Sequence, residues 1–264
     1  MTRIKTLNVV VGAERSGKSF WTDRVCDLFM RSGKFVFVYN TGMPFDYKDF
    51  SEIRLLDSKE TYRYILSNKG KQDALDYKVS GGGIIYGEID GKLIKLEKIP
   101  LAFSGKGVKS DKLFGSDGDL FFKSAFHYFY NGMLVIDDAK SVISGMSRNL
   151  SYFLSRKNHC GKSVPGISRE KIGMDITVIF HNMDRVSREL FDYATHLTLF
   201  PTIQEPRLDT LDNPELEQVI SQTWKRLEAD RKSAAYNYDY YQIQLKNPNG
   251  FIVTKGFGRE TKNI

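Results

Sequence analysis

The chain has 264 residues, of which 41% are hydrophobic and 27% charged, a composition typical of one globular domain or two small ones. This balance excludes a disordered chain, a collagen-like repeat and a coiled-coil rod. The formal net charge of +7 indicates attraction to polyanions, and two cysteines, Cys26 and Cys160, are too few for a disulfide framework or a four-cysteine zinc site.

The sequence carries no signal for secretion or membrane insertion. No apolar run approaches the roughly 18 residues that span a bilayer, and the first residues run into glycine and charge without a signal-peptide pattern. The low cysteine usage is typical of a reducing compartment. We therefore expect a cytoplasmic chain without a membrane span.

The first predicted strand, Leu7–Val11, is a β-branched run that leads into a complete GxxxxGK[ST] motif, the Walker A or phosphate loop. A helix predicted over residues 20–31 follows and ends before Gly33, a residue suited to a helix C-cap. Strand, motif and helix thus stand in the order that the phosphate loop requires. The candidate nucleotide-binding residues are Gly12, Ala13, Glu14, Arg15, Ser16, Gly17, Lys18 and Ser19.

The residue types of this loop explain its chemistry. Its glycines let successive backbone N–H groups wrap a phosphate at the positive end of the helix dipole. Lys18 is expected to reach the β- and γ-phosphates, and the Ser19 hydroxyl to bind magnesium. The motif predicts a site for ATP and Mg²⁺.

Further strand-like runs recur along the chain, separated mostly by polar segments of helix length. They cover residues 35–39, 53–56, 133–136, 176–180 and 197–200. This alternation predicts an α/β fold with a mostly parallel central sheet flanked by helices, and we expect residues 1–264 to form a single domain.

Residues 81–118 interrupt the alternation. They contain a predicted β-hairpin that turns at Asp90 and Gly91, followed by a loop rich in glycine and lysine. About 38 residues are too few for an independent core, so this block is interpreted as an insertion in the nucleotide domain.

The run of residues 133–136 ends in two acids, Asp137 and Asp138. The carboxyl edge of a parallel sheet is where ligands bind in open α/β folds. Asp137 is therefore the candidate magnesium ligand (Walker B), and Asp138 the candidate base that polarises water.

The last elements are an amphipathic helix and a hairpin, together covering about residues 213–258. Leu216, Val219, Ile220 and Leu227 lie near one face of the helix predicted over residues 214–232. Two strand-like runs rich in tyrosine and glycine flank a turn at residues 247–250.

The segment after the acid pair resembles the FtsK and HerA superfamily of P-loop ATPases, which includes viral genome-packaging ATPases and the zonular-occludens-toxin-like assembly proteins of filamentous phages. The acid pair, an intervening helix, the stretch FLSRKNH at residues 153–159 and the run GMDITVIFHN at residues 173–182 carry the resemblance, which covers roughly residues 5–200. In that family the acidic strand is followed by an arginine- and histidine-containing stretch, and then by a strand that ends in a polar sensor residue.

The resemblance implies further catalytic residues. Arg156 stands where the family has the arginine that reaches a neighbouring subunit's γ-phosphate, and His181 or Asn182 stands where it has its sensor. The family's second acid is usually glutamate, longer than Asp138 by one methylene. The stretch at residues 160–171 is longer than the link in the family, and Arg148 is the alternative to Arg156.

Three functions remain open at this point. The first is an ATP-hydrolysing motor that translocates nucleic acid during viral genome packaging, as a homo-oligomeric ring with capsid proteins as partners, in the host cytoplasm or the virion. The second is a phage assembly or secretion ATPase that acts on protein; such proteins usually continue into a membrane span. The third is a nucleotide or nucleoside kinase with an arginine-rich lid; the absence of an Asn-Lys-x-Asp element disfavours a GTPase.

The distribution of charge favours the motor. Residues 140–171 contain seven basic residues and one acid, so this window holds +6 of the total charge of +7. A basic segment just after the catalytic acids is where a motor needs contacts to a polyanion.

Overall fold

The computed structural model describes residues 4–40, 47, 49–110, 118–137, 148–202, 204–208, 211–233 and 239–256. Its strands are β1 Leu7–Val11, β2 Phe35–Asn40, β3 Ser51–Glu52, β4 Arg54–Leu55, β5 Tyr86–Ile89, β6 Lys92–Lys95, β7 Gly107–Ser110, β8 Gly132–Asp137, β9 Met174–Phe180, β10 His196–Leu199, β11 Tyr240–Gln244 and β12 Ile252–Gly256. Its α-helices are α1 Lys18–Arg31, α2 Ser58–Asn68, α3 Lys71–Val79, α4 Ile99–Ala102, α5 Gly118–Tyr128, α6 Arg148–Ser155, α7 Arg188–Tyr193 and α8 Pro214–Ser233.

Nine of the described strands form one sheet in the order β12-β11-β10-β1-β9-β8-β2-β7-β3. The pairs β1 with β10, β2 with β7 and β3 with β7 are parallel, and β11 and β12 close the sheet as an antiparallel hairpin. The predicted α/β fold with a mostly parallel sheet, its β-hairpin and its C-terminal helix and hairpin are confirmed.

The chain divides into two compact units. The first contains Met1–Lys5, Cys26–Val135 and Val142–Ile176, and the second contains Thr6–Val25, Ile136–Ser141 and Thr177–Ile264. The expectation of a single domain stays a prediction.

The first unit is built on aromatic side chains of β2. Alternate residues Phe35, Phe37 and Tyr39 are fully buried and point to one face, as the period of two in a strand requires. Their rings lie 5.1–5.6 Å, centroid to centroid, from Phe121 and Phe129 of α5 and the residue after it. Burying each large apolar ring stabilises the fold by about 2 kcal/mol.

One predicted strand of the central sheet belongs elsewhere, since residues 53–56 contribute β4 to a separate antiparallel sheet of order β4-β5-β6. Arg54 lies opposite Glu88 and forms ion pairs with Glu88 and Glu60, at 2.7 and 2.5 Å. This clamp, and the absence of a side chain at Gly87 against Ile53, fix the strand against the hairpin.

The predicted insertion at residues 81–118 also needs a correction. Its hairpin is the observed β5 and β6 with the turn at Asp90 and Gly91, but the glycine- and lysine-rich stretch contains β7, which lies between β2 and β3 in the central sheet. A Cβ at Gly107 would overlap the ring of Phe50, so the glycine allows β7 to pack closely against that ring. The block is therefore partly sheet, not wholly an insertion.

The second unit contains β1, whose five residues are all buried, together with β10, the hairpin β11-β12 and α8. Three of the four residues predicted for the apolar face of α8, Leu216, Ile220 and Leu227, are buried, and the fourth, Val219, is half-buried. Trp224 donates from its indole nitrogen to the Thr202 hydroxyl at 2.9 Å. No helix in the described part of the chain has the length and hydropathy needed to cross a membrane.

Candidate functional site

The phosphate loop lies between β1 and α1, entirely within the second unit. Its start is tied to the ends of two other strands, because the Gly12 amide donates to the Phe180 carbonyl at 3.2 Å and the Ala13 amide to the Pro201 carbonyl at 2.9 Å. These bonds fix the point at which the loop leaves the sheet.

Backbone geometry explains the spacing of the glycines. A Cβ at Gly12 would lie 2.5 Å from the Cβ of Phe200 and 2.7 Å from the Ser16 hydroxyl, so only glycine fits there. Gly17 has a φ of 97° and Arg15 a φ of 59°, both in the left-handed region that reverses the chain. Close packing at Gly12 and the left-handed backbone at Arg15 and Gly17 therefore fix the shape of the loop.

Lys18 is the first residue of α1 and is only 6% exposed. Its ammonium group lies inside the loop and donates to the carbonyls of Gly12 and Ala13, each at 2.5 Å. Burial lowers the pKa of Lys18 to about 8, while the carboxylates of Asp137 and Glu14 act in the opposite direction. A buried cation whose charged form is favoured by nearby anions is suited to bind phosphate.

The other loop residues fit a bound nucleotide. The Ser16 hydroxyl is buried and has no hydrogen-bond partner among the described residues, so it offers a donor to a phosphate oxygen. Glu14, Arg15 and Ser19 are exposed. Ser19 stands in the first turn of α1, where a hydroxyl can bind a cation held by phosphates.

Asp137 ends β8 and is half-buried. Its charge raises the pKa of Lys18, which places its carboxylate within electrostatic range of the ammonium group. Within the described ranges no three His, Cys, Asp or Glu side chains converge on a metal site. Mg²⁺ needs fewer protein ligands, since it keeps waters and binds one or two carboxylates plus substrate phosphates, and Ser19 with Asp137 fits that requirement. Asp138 lies outside the described residues.

The predicted sensor residues follow β9, which lies between β1 and β8 in the sheet. His181 is half-buried directly after Phe180, whose carbonyl accepts from Gly12, so the sensor segment adjoins the start of the loop. Asn182 is exposed and precedes a short 3-10 helix, Met183–Arg185. It lines a cavity of about 160 Å³ together with Asp184, Thr202, Gln204 and Glu205, among others.

Arg156 and Arg148 are the two candidates for the trans arginine, the residue that reaches a neighbouring subunit's γ-phosphate. Both belong to the first unit. Arg156 follows α6 and is exposed, with its guanidinium 5.1 Å from the centroid of the Tyr152 ring. Arg148 is the exposed first residue of α6. Which of them acts in catalysis stays a prediction.

The basic window, residues 140–171, includes one buried lysine. Lys157 is only 7% exposed, whereas Arg156, Lys162, Arg169 and Lys171 are exposed. The burial of Lys157 leaves Arg148, Arg156, Lys162, Arg169 and Lys171 as the exposed cations among the described residues of this window.

Two residues that pack beside the phosphate loop were not predicted from the sequence. Phe200, whose Cβ closes on Gly12, and Trp21, two residues after Ser19, are both buried. Their apolar character indicated core positions, but no local signal linked them to the phosphate loop.

No protein-family model and no curated protein match this sequence. Solved structures of the genome-packaging NTPase B204 from Sulfolobus turreted icosahedral virus 2 match over nearly the whole chain. The complex with ATP-gammaS has a TM-score of 0.52 at 12% identity and covers 96% of this chain and 98% of B204.

Two further B204 complexes agree. The sulfate complex has a TM-score of 0.54 at 11% identity, covering 95% of this chain and 96% of B204, and the AMPPCP complex 0.53 at 12%, covering 94% and 96%. At such identities the likeness shows the fold alone, and it agrees with the predicted α/β architecture. The chain has the P-loop NTPase fold of the viral genome-packaging NTPase B204.

Proposed function

We propose that this chain is an ATP-hydrolysing motor that translocates nucleic acid, of the type that packages viral genomes. The observation that carries the proposal is the buried Lys18 ammonium inside a complete phosphate loop, within electrostatic range of Asp137. The fold shared with B204, a genome-packaging NTPase that binds ATP-gammaS, supports the same class.

The loop residues would bind the nucleotide. Backbone amides at the start of α1 and the Ser16 hydroxyl would donate to phosphate oxygens, and Lys18 would balance the charge on the β- and γ-phosphates. Ser19 and Asp137 would hold Mg²⁺, which neutralises developing phosphate charge when it is bound.

Hydrolysis needs a water in line with the γ-phosphorus. We assign Asp138 as the base that accepts the proton of this water while the bond between the γ-phosphorus and the leaving ADP oxygen breaks. His181 and Asn182 would hydrogen-bond the γ-phosphate region and register whether it is occupied. Arg156, with Arg148 as the alternative, would stabilise the transition state in a neighbouring subunit.

A trans arginine implies a homo-oligomeric ring, because each site then needs its neighbour. The exposed cations Arg156, Lys162, Arg169 and Lys171 suit contacts to a phosphate backbone that carry no base specificity. The motor would act in the host cytoplasm or on the virion, with capsid proteins as partners.

The test is ATP turnover with and without single- and double-stranded DNA, beside the mass of the particle in solution. We expect turnover that DNA stimulates, and loss of turnover in Lys18→Ala. Turnover that no nucleic acid changes would contradict the motor and favour an assembly ATPase that acts on protein. Phosphate transfer to a nucleoside acceptor would favour a kinase.

A further inference from the structure

Three aromatic side chains of the second unit form one cluster, which we call the aromatic strut: Trp21, Phe200 and Tyr240. The Trp21 ring lies edge-on to the other two, with centroids 6.2 Å from Phe200 and 5.9 Å from Tyr240. Tyr240 tilts against Phe200 at 5.2 Å. Each of the three rings therefore contacts both others.

The strut adjoins both ends of the phosphate loop. At the start, the Cβ of Phe200 occupies the space that forbids a side chain at Gly12, and the next residue, Pro201, accepts the Ala13 amide. At the end, Trp21 belongs to the first turn of α1, two residues after Ser19. A shift of the strut would therefore change the spacing between the two ends of the loop.

Tyr240 comes from a different element, the C-terminal hairpin. It lies opposite Gly256 in the register of β11 and β12, and a Cβ at Gly256 would overlap the Tyr240 ring. The glycine thus lets the tyrosine ring lie across β12, as aromatic rings do over strand glycines.

The hairpin is itself anchored to α8. Lys255 forms ion pairs with Asp230 at 2.8 Å and with Asp239 at 3.0 Å, and the Tyr241 hydroxyl donates to Asp230 at 3.0 Å. Because neighbouring strand residues face opposite sides, Tyr241 is turned to α8 while Tyr240 is turned to the strut.

We propose that Tyr240 is a positioning residue for nucleotide binding, and that the C-terminal hairpin sets the geometry of the phosphate loop through the aromatic strut. The inference rests on the proposed function, since it concerns how the same loop binds ATP. Tyr240 acts through Phe200 and Trp21 and does not itself contact the nucleotide.

Trp21 gives the aromatic strut an intrinsic fluorescence signal. The chain has two tryptophans, so Trp224→Phe leaves Trp21 as the sole indole. In that background, titration with ATP-gammaS followed by Trp21 fluorescence gives a dissociation constant, and steady-state ATP turnover gives kcat and KM.

We expect Tyr240→Ala to shift the Trp21 emission of the free protein and to raise both Kd and KM about tenfold, the scale of two lost aromatic pairs. The value of kcat should stay within about twofold, because Tyr240 makes no contact to the reacting atoms. Tyr240→Phe keeps the ring and should restore the values of the parent. Gly256→Val, which leaves Tyr240 in place but displaces its ring, should reproduce the rise in KM.

Tyr241→Phe is the matched control, since it removes the bond to Asp230 on the opposite face and should lower Tm without changing KM. All variants are compared well below their own Tm. Unchanged Kd and KM in both Tyr240→Ala and Gly256→Val would overturn the inference and leave the proposed function standing. Failure of the parent protein to bind any nucleotide would overturn both.

Discussion

Nucleotide binding at the phosphate loop should take up protons at mildly alkaline pH, because Lys18 is partly neutral in the free protein. Its pKa is lowered to about 8, first of all by burial. At a pH of about 8.5 roughly a quarter of the Lys18 side chains carry a charge, and at pH 7 about nine-tenths do. Bound phosphates stabilise the charged form and restore the missing protons.

The expected uptake is therefore about 0.75 proton per nucleotide at a pH of about 8.5 and about 0.1 at pH 7. Isothermal titration of the protein with ATP-gammaS in two buffers of different ionisation enthalpy measures it directly. The matched control is Lys18→Arg, which keeps a cation that does not titrate in this range. Equal uptake in both proteins, or none in the parent at the higher pH, would refute the assignment of Lys18 as the phosphate-binding cation.

The same shift has a consequence for stability without ligand. The pKa of Lys18 is lower in the folded chain than its ordinary value of 10.5. The folded state therefore releases this proton at a lower pH than the unfolded state does, and its stability rises as the pH increases from about 8. Relative to Lys18→Met, the parent should gain about 2.5 kcal/mol between pH 7 and pH 10. Chemical denaturation of both proteins across this range measures the difference, and a gap that stays constant with pH would contradict the burial of a charged Lys18.

Three further outcomes are expected. Gly12→Ala places a Cβ 2.5 Å from Phe200 and should abolish ATP-gammaS binding and lower Tm, whereas near-normal binding would show that the loop can shift. Arg156→Ala should spare nucleotide binding and lose turnover; unchanged turnover would remove Arg156 from the mechanism. Neutralising Lys162 and Lys171 to Gln should weaken DNA binding and reduce the slope of log K against log salt by about 2, and an unchanged slope would place the DNA elsewhere.

The sequence was sufficient where local pattern and chemistry coincide. A β-branched run, a full phosphate motif and a helix predicted β1, the loop and α1, and the observed bounds agree to within about two residues. The acid pair after an apolar run likewise placed Asp137 at the end of β8.

The prediction failed where neighbours distant in the chain decide the structure. β7 is short and rich in glycine and lysine, so nothing local distinguishes it from a loop; its place in the sheet comes from pairing with β2 and from packing against Phe50. Lys157 contributes to the charge of residues 140–171, but its burial depends on tertiary packing, which composition does not record.

The aromatic strut is a second case of this kind. The sequence predicts a tyrosine-rich strand in the last hairpin, and Tyr240 of that strand packs against Phe200. Its link to Trp21 joins positions more than 200 residues apart in the chain, and only the fold brings them together.

The central claim is that ATP hydrolysis drives movement along nucleic acid. The most direct measurement is displacement of a third strand from a DNA triplex as the protein advances along the duplex, with ATP, with ATP-gammaS and with the Lys18→Ala variant. We predict displacement with ATP alone, and none with the analogue or the variant. DNA-stimulated ATP turnover without any strand displacement would contradict the motor.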